Sequence, residues 1–415
     1  MNSRERVIKT LNFEPVDRLA RDLGGVTGTG LHASTLHKLR RKLGLKEEIV
    51  IMYEPVMQLG KVTEDVIEAM GTDVIGIDSC TTLLGYQNKD FKLWRLPDGT
   101  PVKVGSGFEY EVRENGRTYL FPQGDRNAEA SAHMPKDGYF FDPIIRQSEL
   151  IEEKLNAKTD YATMYSVFSD EECELLQKQT DYLFRNTELA IFGNFWGASF
   201  GDFIHIPGSW LKETPGVRDW EEWLLSHLIR PAYIREYMDM YLEIALENLK
   251  LYKEAVGDKI VAIAISGTDF GTQKAMLISP EIYREMYKPY HKIVVDWVKK
   301  NTNWKVFFHS CGAISDIIDD FIEIGVDCLN PVQFTARGMD LESLTDKYAG
   351  EIVFWGGGID TQKTLPFGSI DEIIAEAKHN KSLLNKKGGY IGAAIHNIQF
   401  GTEPEKIIAF FEAIK

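Results

Sequence analysis

Few cysteines, no long apolar run and a deficit of basic side chains set the first limits on this chain. Its four cysteines, Cys80, Cys173, Cys311 and Cys328, are spread irregularly over 415 residues. That spacing argues against a disulfide framework and points to a reducing, cytoplasmic compartment. No stretch approaches the roughly 20 apolar residues that a membrane span requires. The opening MNSRERVIKTLNF is a polar amphipathic pattern, without the apolar centre of a secretory signal. Basic side chains number 47 against 62 acidic ones, a formal net charge of −15. Such a surface repels nucleic-acid phosphates and anionic lipid headgroups, so neither nucleic acid nor membrane is expected as a partner. The glycine fingerprint of a dinucleotide fold is also missing.

What is present is ordinary globular material, 44% hydrophobic and 26% charged, enough for a large core. Seven short apolar runs read as strands: Asp73 to Asp78, Leu189 to Phe195, Val261 to Ile265, Lys305 to Phe308, Cys328 to Val332, Ile352 to Trp355 and Tyr390 to Ile395. An eighth falls near Leu19 to Leu23. They are continuous rather than alternating, as strands covered on both faces are. Helical patterns lie between many of them. One opens at Ser279-Pro280, a serine N-cap with proline in the first turn, and bends at Pro289. Another ends at Gly325 and a third closes the chain. Alternating strands and helices imply a parallel sheet. This number of units predicts an α/β fold, a closed (β/α)8 TIM barrel spanning residues 1–415 as one domain. The open doubly wound sheet is the competing arrangement. Residues 93–145 differ, with turn signals at Asp98-Gly99 and Asn115-Gly116 between alternating segments. They read as a β-hairpin insertion, either a lid over the barrel mouth or an ornament.

The sharpest local pattern is FFHSCGAISD. His309 and Cys311 stand two apart at the end of an apolar run, so in extended chain both aim the same way. The carboxyl ends of barrel strands are where such enzymes keep their sites. Imidazole nitrogen and thiolate sulfur are favoured zinc donors, and a catalytic zinc takes three protein ligands and one open position. The plain alternative is a core cysteine beside a satisfied histidine. For a third donor, His396 ends the last strand in YIGAAIHNIQFGT, and Cys80 lies just past an early one. Cys328 begins its strand, at the opposite end. Other candidates cluster at the predicted mouth. Asp269 and Gln273 follow a strand in TDFGTQ, where an acid can hold a polar group or take a proton; an Asx turn is the alternative. Asn194 and Trp196, in GNFWGASFGD, can line a flat pocket, and His205 lies just beyond; core tryptophan is the alternative. Gly356 to Gly358 permit close backbone approach to a ligand, with Asp360 beside them.

Several separated segments, in order, resemble the uroporphyrinogen decarboxylase superfamily: RERVIKTLNFEPVDR, ISPEIYREMYKPYHKIV and GGYIGAAIHNIQFGTEPEKI. The resemblance covers most of the chain except the hairpin insertion, and it implies a (β/α) barrel with two chemistries. One branch decarboxylates uroporphyrinogen without metal or cofactor. The other holds zinc methyltransferases that work with methylated corrinoid proteins, methylcobalamin:coenzyme M methyltransferase-like, carrying His-x-Cys and a later cysteine as ligands. His309 and Cys311 match the first two, and His396 stands where the later cysteine would be. A histidine at that place contacts substrate in the decarboxylases, so the resemblance leaves both roles open for it. The more distant cobalamin-independent methionine synthases add a glutamate, at about whose place Gln333 falls. Asp78 resembles the pyrrole-binding aspartate of the decarboxylases; capping a strand end is the alternative. Their N-terminal R-Q-A-G-R cluster is replaced here by DRLARDLGG, with Arg18 and Arg21 at another spacing and Asp22 added.

The resemblance and the motif together point to a zinc-dependent methyltransferase of a corrinoid pathway. Metal ligands are His309, Cys311 and His396, with Cys80 as the alternative third. Asp78 and Asp269 are the catalytic candidates, and Asn194, Trp196, Gln273 and Gln333 the substrate contacts. The small substrate is a methyl ether or a thiol. No D-x-H-x-x-G corrinoid signature occurs, since DFIHIPG and AIHNIQFG both miss its spacing. Methylcobalamin is therefore expected on a separate corrinoid protein that docks at the mouth. Three rivals stand beside this reading: a uroporphyrinogen decarboxylase, a non-catalytic module that docks a corrinoid protein, and a barrel enzyme with a structural metal.

Overall fold

The computed structural model describes all residues, Met1 to Lys415. Eight parallel strands form the central sheet: β1 (Ala20–Arg21), β2 (Val74–Ile77), β3 (Ala190–Gly193), β4 (Ala262–Ser266), β5 (Lys305–His309), β6 (Cys328–Asn330), β7 (Val353–Trp355) and β8 (Tyr390–Gly392). Their order is β1-β8-β7-β6-β5-β4-β3-β2, so each consecutive pair from β2 to β8 is adjacent. The seam between β1 and β2 is bridged by two bonds. Asp73 N donates to Arg21 O (2.7 Å), and Arg21 N donates to Asp73 Oδ2 (3.0 Å). This is a (β/α)8 TIM barrel, as the apolar runs imply; six of the eight predicted runs contain their strand, and β4 and β5 each extend one residue further, to Ser266 and His309.

The barrel interior is filled, not hollow. Phe192, Phe307 and Trp355 meet edge-to-face with ring centroids 5.0–5.3 Å apart. Small residues such as Ala20, Ala190 and Ala264 make room for them. Trp355 Nε1, which burial would leave costly if unpaired, donates to Asp22 Oδ2 at 2.9 Å. A larger apolar core lies outside the sheet, between strands and helices. The helix at Ser279 starts as expected, with the serine hydroxyl accepting from Ile282 N, and breaks at Tyr287 before Lys288–Asn301. Gly325 ends the helix Ile318–Ile324 with φ of 97°, a left-handed cap that favours glycine. No helix is long and apolar enough to cross a membrane.

The β-rich addition has two parts. One sheet of five strands runs Leu31–His32, Leu59–Gly60, Val50–Glu54, Pro101–Val104 and Lys92–Arg95. The other has four strands, between Tyr110–Val112 and Asp142–Pro143. Both predicted hairpin turns are found, with Gly99 and Gly116 at positive φ. The addition meets the barrel mouth directly. Tyr139 stacks on Phe400 of the loop after β8 (5.0 Å between centroids). Within the addition, Phe141 N donates to Val56 O and joins its two sheets.

Candidate metal centre and its cavity

His309 is the last residue of β5, and Cys311 follows in the turn. His396 comes from the loop after β8. Their donor atoms all lie within 4.8 Å of one another, and Cys311 Sγ is 3.3 Å from His309 Nε2. The two imidazole rings stand at 66° with centroids 5.4 Å apart. This is the only grouping of three or more His, Cys, Asp or Glu side chains with metal-binding geometry in the molecule. Cys80, the alternative third donor, lines the same cavity but is not in the group. Cys328 is buried at the start of β6, paired with Phe307 well below the mouth.

The tautomer of His309 is fixed by its neighbour. His309 and Asn330 are register partners on β5 and β6, and Asn330 Oδ1 lies 2.6 Å from His309 Nδ1. Asn330 Nδ2 donates to Trp355 O at 2.8 Å, which settles which way the amide faces. Nδ1 therefore carries the proton, and the Nε2 lone pair faces Cys311. Burial pushes the pKa of His309 down to about 4, and that of His396 likewise, helped by His309 beside it. Both rings are neutral at pH 7, as metal ligation requires. Burial and the nearby Asp269 push the Cys311 thiol up, so ionising it calls for a cation at hand.

Two further residues hold the turn that carries Cys311. Asp269 Oδ1 accepts from Cys311 N (2.6 Å), and Gln333 Oε1 accepts from Gly312 N (2.7 Å). Gly312 has φ of 88°, and a Cβ there would sit 2.2 Å from the Gly271 carbonyl carbon. The loops after β4 and β5 thus touch backbone to backbone, which glycine alone allows. Asp269 is also 3.7 Å from His309 Nε2, and burial raises its carboxyl.

These groups form part of a cavity of about 1110 Å³ at the carboxyl ends of the strands. Trp196 stands edge-on to His309, with centroids 6.1 Å apart, and its backbone is at φ of 55°. A non-glycine residue held there costs about 1–3 kcal/mol, a strain typical of functional positions. Its place is kept by bonds from Trp196 N to Ala264 O and from Ser199 Oγ to Trp196 O. Asn194 lines the cavity with every polar atom engaged: Oδ1 accepts from Thr27, and Nδ2 donates to Gly25 O and Ile77 O. It fastens the loop after β1 to β2 and β3. Gln273 is exposed at the rim beside Gln362, and Asp78 lines the wall in an ion pair with Lys61.

Other expectations land elsewhere. Gly356 and Gly357 line no cavity; they are buried against Ala394 O and Val332, so their glycines serve chain packing. Asp360 lines the rim and accepts from Gln362 N. Arg18 pairs with Asp73 at the foot of the barrel, and Arg21 donates to Phe411 O. Neither reaches the cavity. The sequence reading missed Asn330, whose role depends on its register opposite His309. It also missed Tyr53, Glu54 and Asp202, three cavity residues whose surroundings no local pattern announces.

A family model described as uroporphyrinogen decarboxylase (URO-D) matches residues 211–415, and that part of the chain carries a URO-D family domain. The whole fold is similar to that of a methyltransferase from Methanosarcina mazei, at 15% identity and a TM-score of 0.57. That likeness covers 100% of this chain and 98% of the other. A rutinosidase from Aspergillus niger aligns at 12% identity over 61% of this chain and 76% of its own, with a TM-score of 0.34. No curated protein matches the chain.

Proposed function

We propose that this URO-D family barrel is a zinc-dependent methyltransferase of a corrinoid pathway, moving a methyl group between a small methyl ether or thiol and the cobalamin of a separate corrinoid protein. The observation that carries the reading is the convergence of the His309, Cys311 and His396 donor atoms in one wall of the cavity. Two neutral imidazoles and a thiol match the donors zinc prefers, and three protein ligands leave one position for substrate. Tetrahedral ligand atoms around zinc stand about 3.3–3.8 Å apart. The Cys311 to His309 spacing of 3.3 Å fits that range, and the group as a whole, with donor atoms within 4.8 Å of one another, is somewhat wider. Bound there, zinc supplies Lewis-acid polarisation of an ether oxygen or keeps a thiol ionised near neutral pH.

The protein's own residues do the remainder. Asn330 orients His309 from behind, as outer partners of ligating histidines commonly do. Asp269 and Gln333 hold the backbone of Cys311 and Gly312, so the thiol keeps its position relative to the ring. Trp196 stands edge-on to His309 in the cavity wall. The missing corrinoid signature supports delivery of cobalamin by a partner protein. Decarboxylation of uroporphyrinogen fits less well. A polycarboxylate needs convergent basic groups, and the cavity lining contains no lysine or arginine.

Metal analysis of the purified protein tests the reading. About one zinc per chain is expected, falling several-fold in His309→Ala. A native content well below one, in protein purified without chelator, would remove the mechanism. A chain that unfolds when stripped of metal would instead favour a structural ion.

A further inference from the structure

The cavity is one-sided in charge. Its lining includes seven carboxylates (Glu54, Asp78, Asp142, Glu172, Asp202, Asp269 and Asp360) and no lysine or arginine. Asp78 is paired with Lys61, while Glu54, Asp202, Asp269 and Asp360 accept from backbone N–H groups. Asp202 is 5% exposed and no cation pairs with it. Burial and the nearby Asp269 push its carboxyl up to about 8, so near neutral pH it stays protonated until a cation comes beside it. Around it the lining is aromatic: Tyr165 and Tyr241 are stacked with centroids 3.6 Å apart, and Trp210 stands edge-on to His205. Tyr252, 2% exposed in the same lining, has a hydroxyl without a partner.

An anion entering this space would lose its hydration and meet no basic group to replace it. A cation would find the opposite: a buried acid that ionises beside it, next to aromatic faces, the setting in which ammonium groups are bound. The volume of about 1110 Å³ holds a ring-sized molecule with room to spare.

We infer that the cavity takes a methylated aromatic substrate that bears an ammonium group or no charge, that it rejects carboxylated and sulfonated ones, and that Asp202 is the counter-ion of the ammonium. This deepens the methyltransferase reading and rests on it only for the methyl group. The charge preference follows from the lining alone.

The test is calorimetric binding to the purified protein with its native metal content, without corrinoid protein. Three probes share one methoxyphenyl group: (4-methoxyphenyl)trimethylammonium, 4-methoxybenzyl alcohol and 4-methoxybenzoate. The benzoate is expected to bind at least ~30-fold more weakly than the alcohol, the scale of a carboxylate buried without a partner. The ammonium compound is expected to bind as tightly as the alcohol or more so. Asp202→Asn should weaken the ammonium compound at least ~10-fold and shift the alcohol by less than ~3-fold. Benzoate binding within threefold of the alcohol overturns the charge preference, as does the absence of binding by all three. An unchanged ammonium affinity in Asp202→Asn overturns the counter-ion assignment. If that variant does not fold, the three probes on the native protein still decide the preference. Loss of methyl transfer with this binding order intact would sink the proposed reaction and leave the inference standing.

Discussion

The two walls of the cavity come from different halves of the chain and do different work. His309, Cys311, His396, Asn330, Asp269 and Gln333 all lie in residues 211–415, the part that matches the URO-D family model. His309 is held by its register partner Asn330, and the Cys311 turn by backbone bonds to Asp269 and Gln333, so the geometry of these two donors is set by the barrel itself. Tyr53, Glu54, Asp78, Phe140, Tyr165, Asn194, Trp196 and Asp202 come from residues before 211, outside the matched segment. Several of them ride on the β-rich addition or on long loops. The comparison teaches that reactive groups are built on the rigid scaffold and the surface facing the substrate on variable connections.

If that division is right, substitutions on the two walls should separate by size and kind. The largest loss belongs to Cys311→Ala: methyl transfer to reduced cobalamin should fall at least ~1000-fold, with the circular dichroism spectrum unchanged. Retained turnover would break the comparison at its strongest point. Next comes Asn330→Ala, which touches no substrate. Zinc affinity should drop about 10–100-fold, as for other outer partners of ligating histidines, measured by competition with a chelator. An unchanged affinity would show that the barrel register alone positions His309.

The opposite wall should respond differently. Phe140 lines the cavity from the addition and is about half exposed. Phe140→Ala should raise KM about 10-fold and leave kcat within ~2-fold, the mark of an interaction made equally in ground and transition states. A fall in kcat instead would give this wall a part in the chemistry. The smallest effect concerns Glu54, whose carboxyl burial pushes up to about 7 although it accepts from Val56 N and Met57 N. Its folded pKa lies above its unfolded one, so the native state binds the extra proton between about pH 4.5 and 7. Stability from this group therefore falls as pH rises through that window and levels off above 7. The Tm of Glu54→Gln relative to the native protein should rise by a few degrees from pH 5 to pH 8. A constant difference would show that Glu54 is solvated.

Legibility in the sequence followed the same division. Seven of the eight strands were readable because each is a short apolar run, the mark of a strand covered on both faces. The first, Ala20–Arg21, carries a charged residue and was placed only by location. His309 and Cys311 were readable because their spacing matches the period of a strand that ends there. Asn330 was hidden because it acts across the sheet, through a register that one strand's sequence does not state. Gly356 to Gly358 were misjudged because a glycine run permits close approach without saying to what; the partners are Ala394 O, Val332 and, for Gly358, Ala393 O and the Tyr390 hydroxyl. Asp202 and Glu54 were invisible for another reason. Their unusual surroundings arise from segments well separated in the chain: Tyr165, Tyr241 and Asp269 surround Asp202, and Glu54 shares the cavity wall with Phe140.

Asp73 gives the architecture a single lacing point. Arg6 and Arg18 grip its carboxylate from the N-terminal arm, while its own backbone and side chain join the first and second strands. The ring of strands is thus tied off by a segment that precedes it. Cutting the chain between Lys9 and Arg18 should let the cylinder unwind from that one edge, long before the helices on the far side are disturbed.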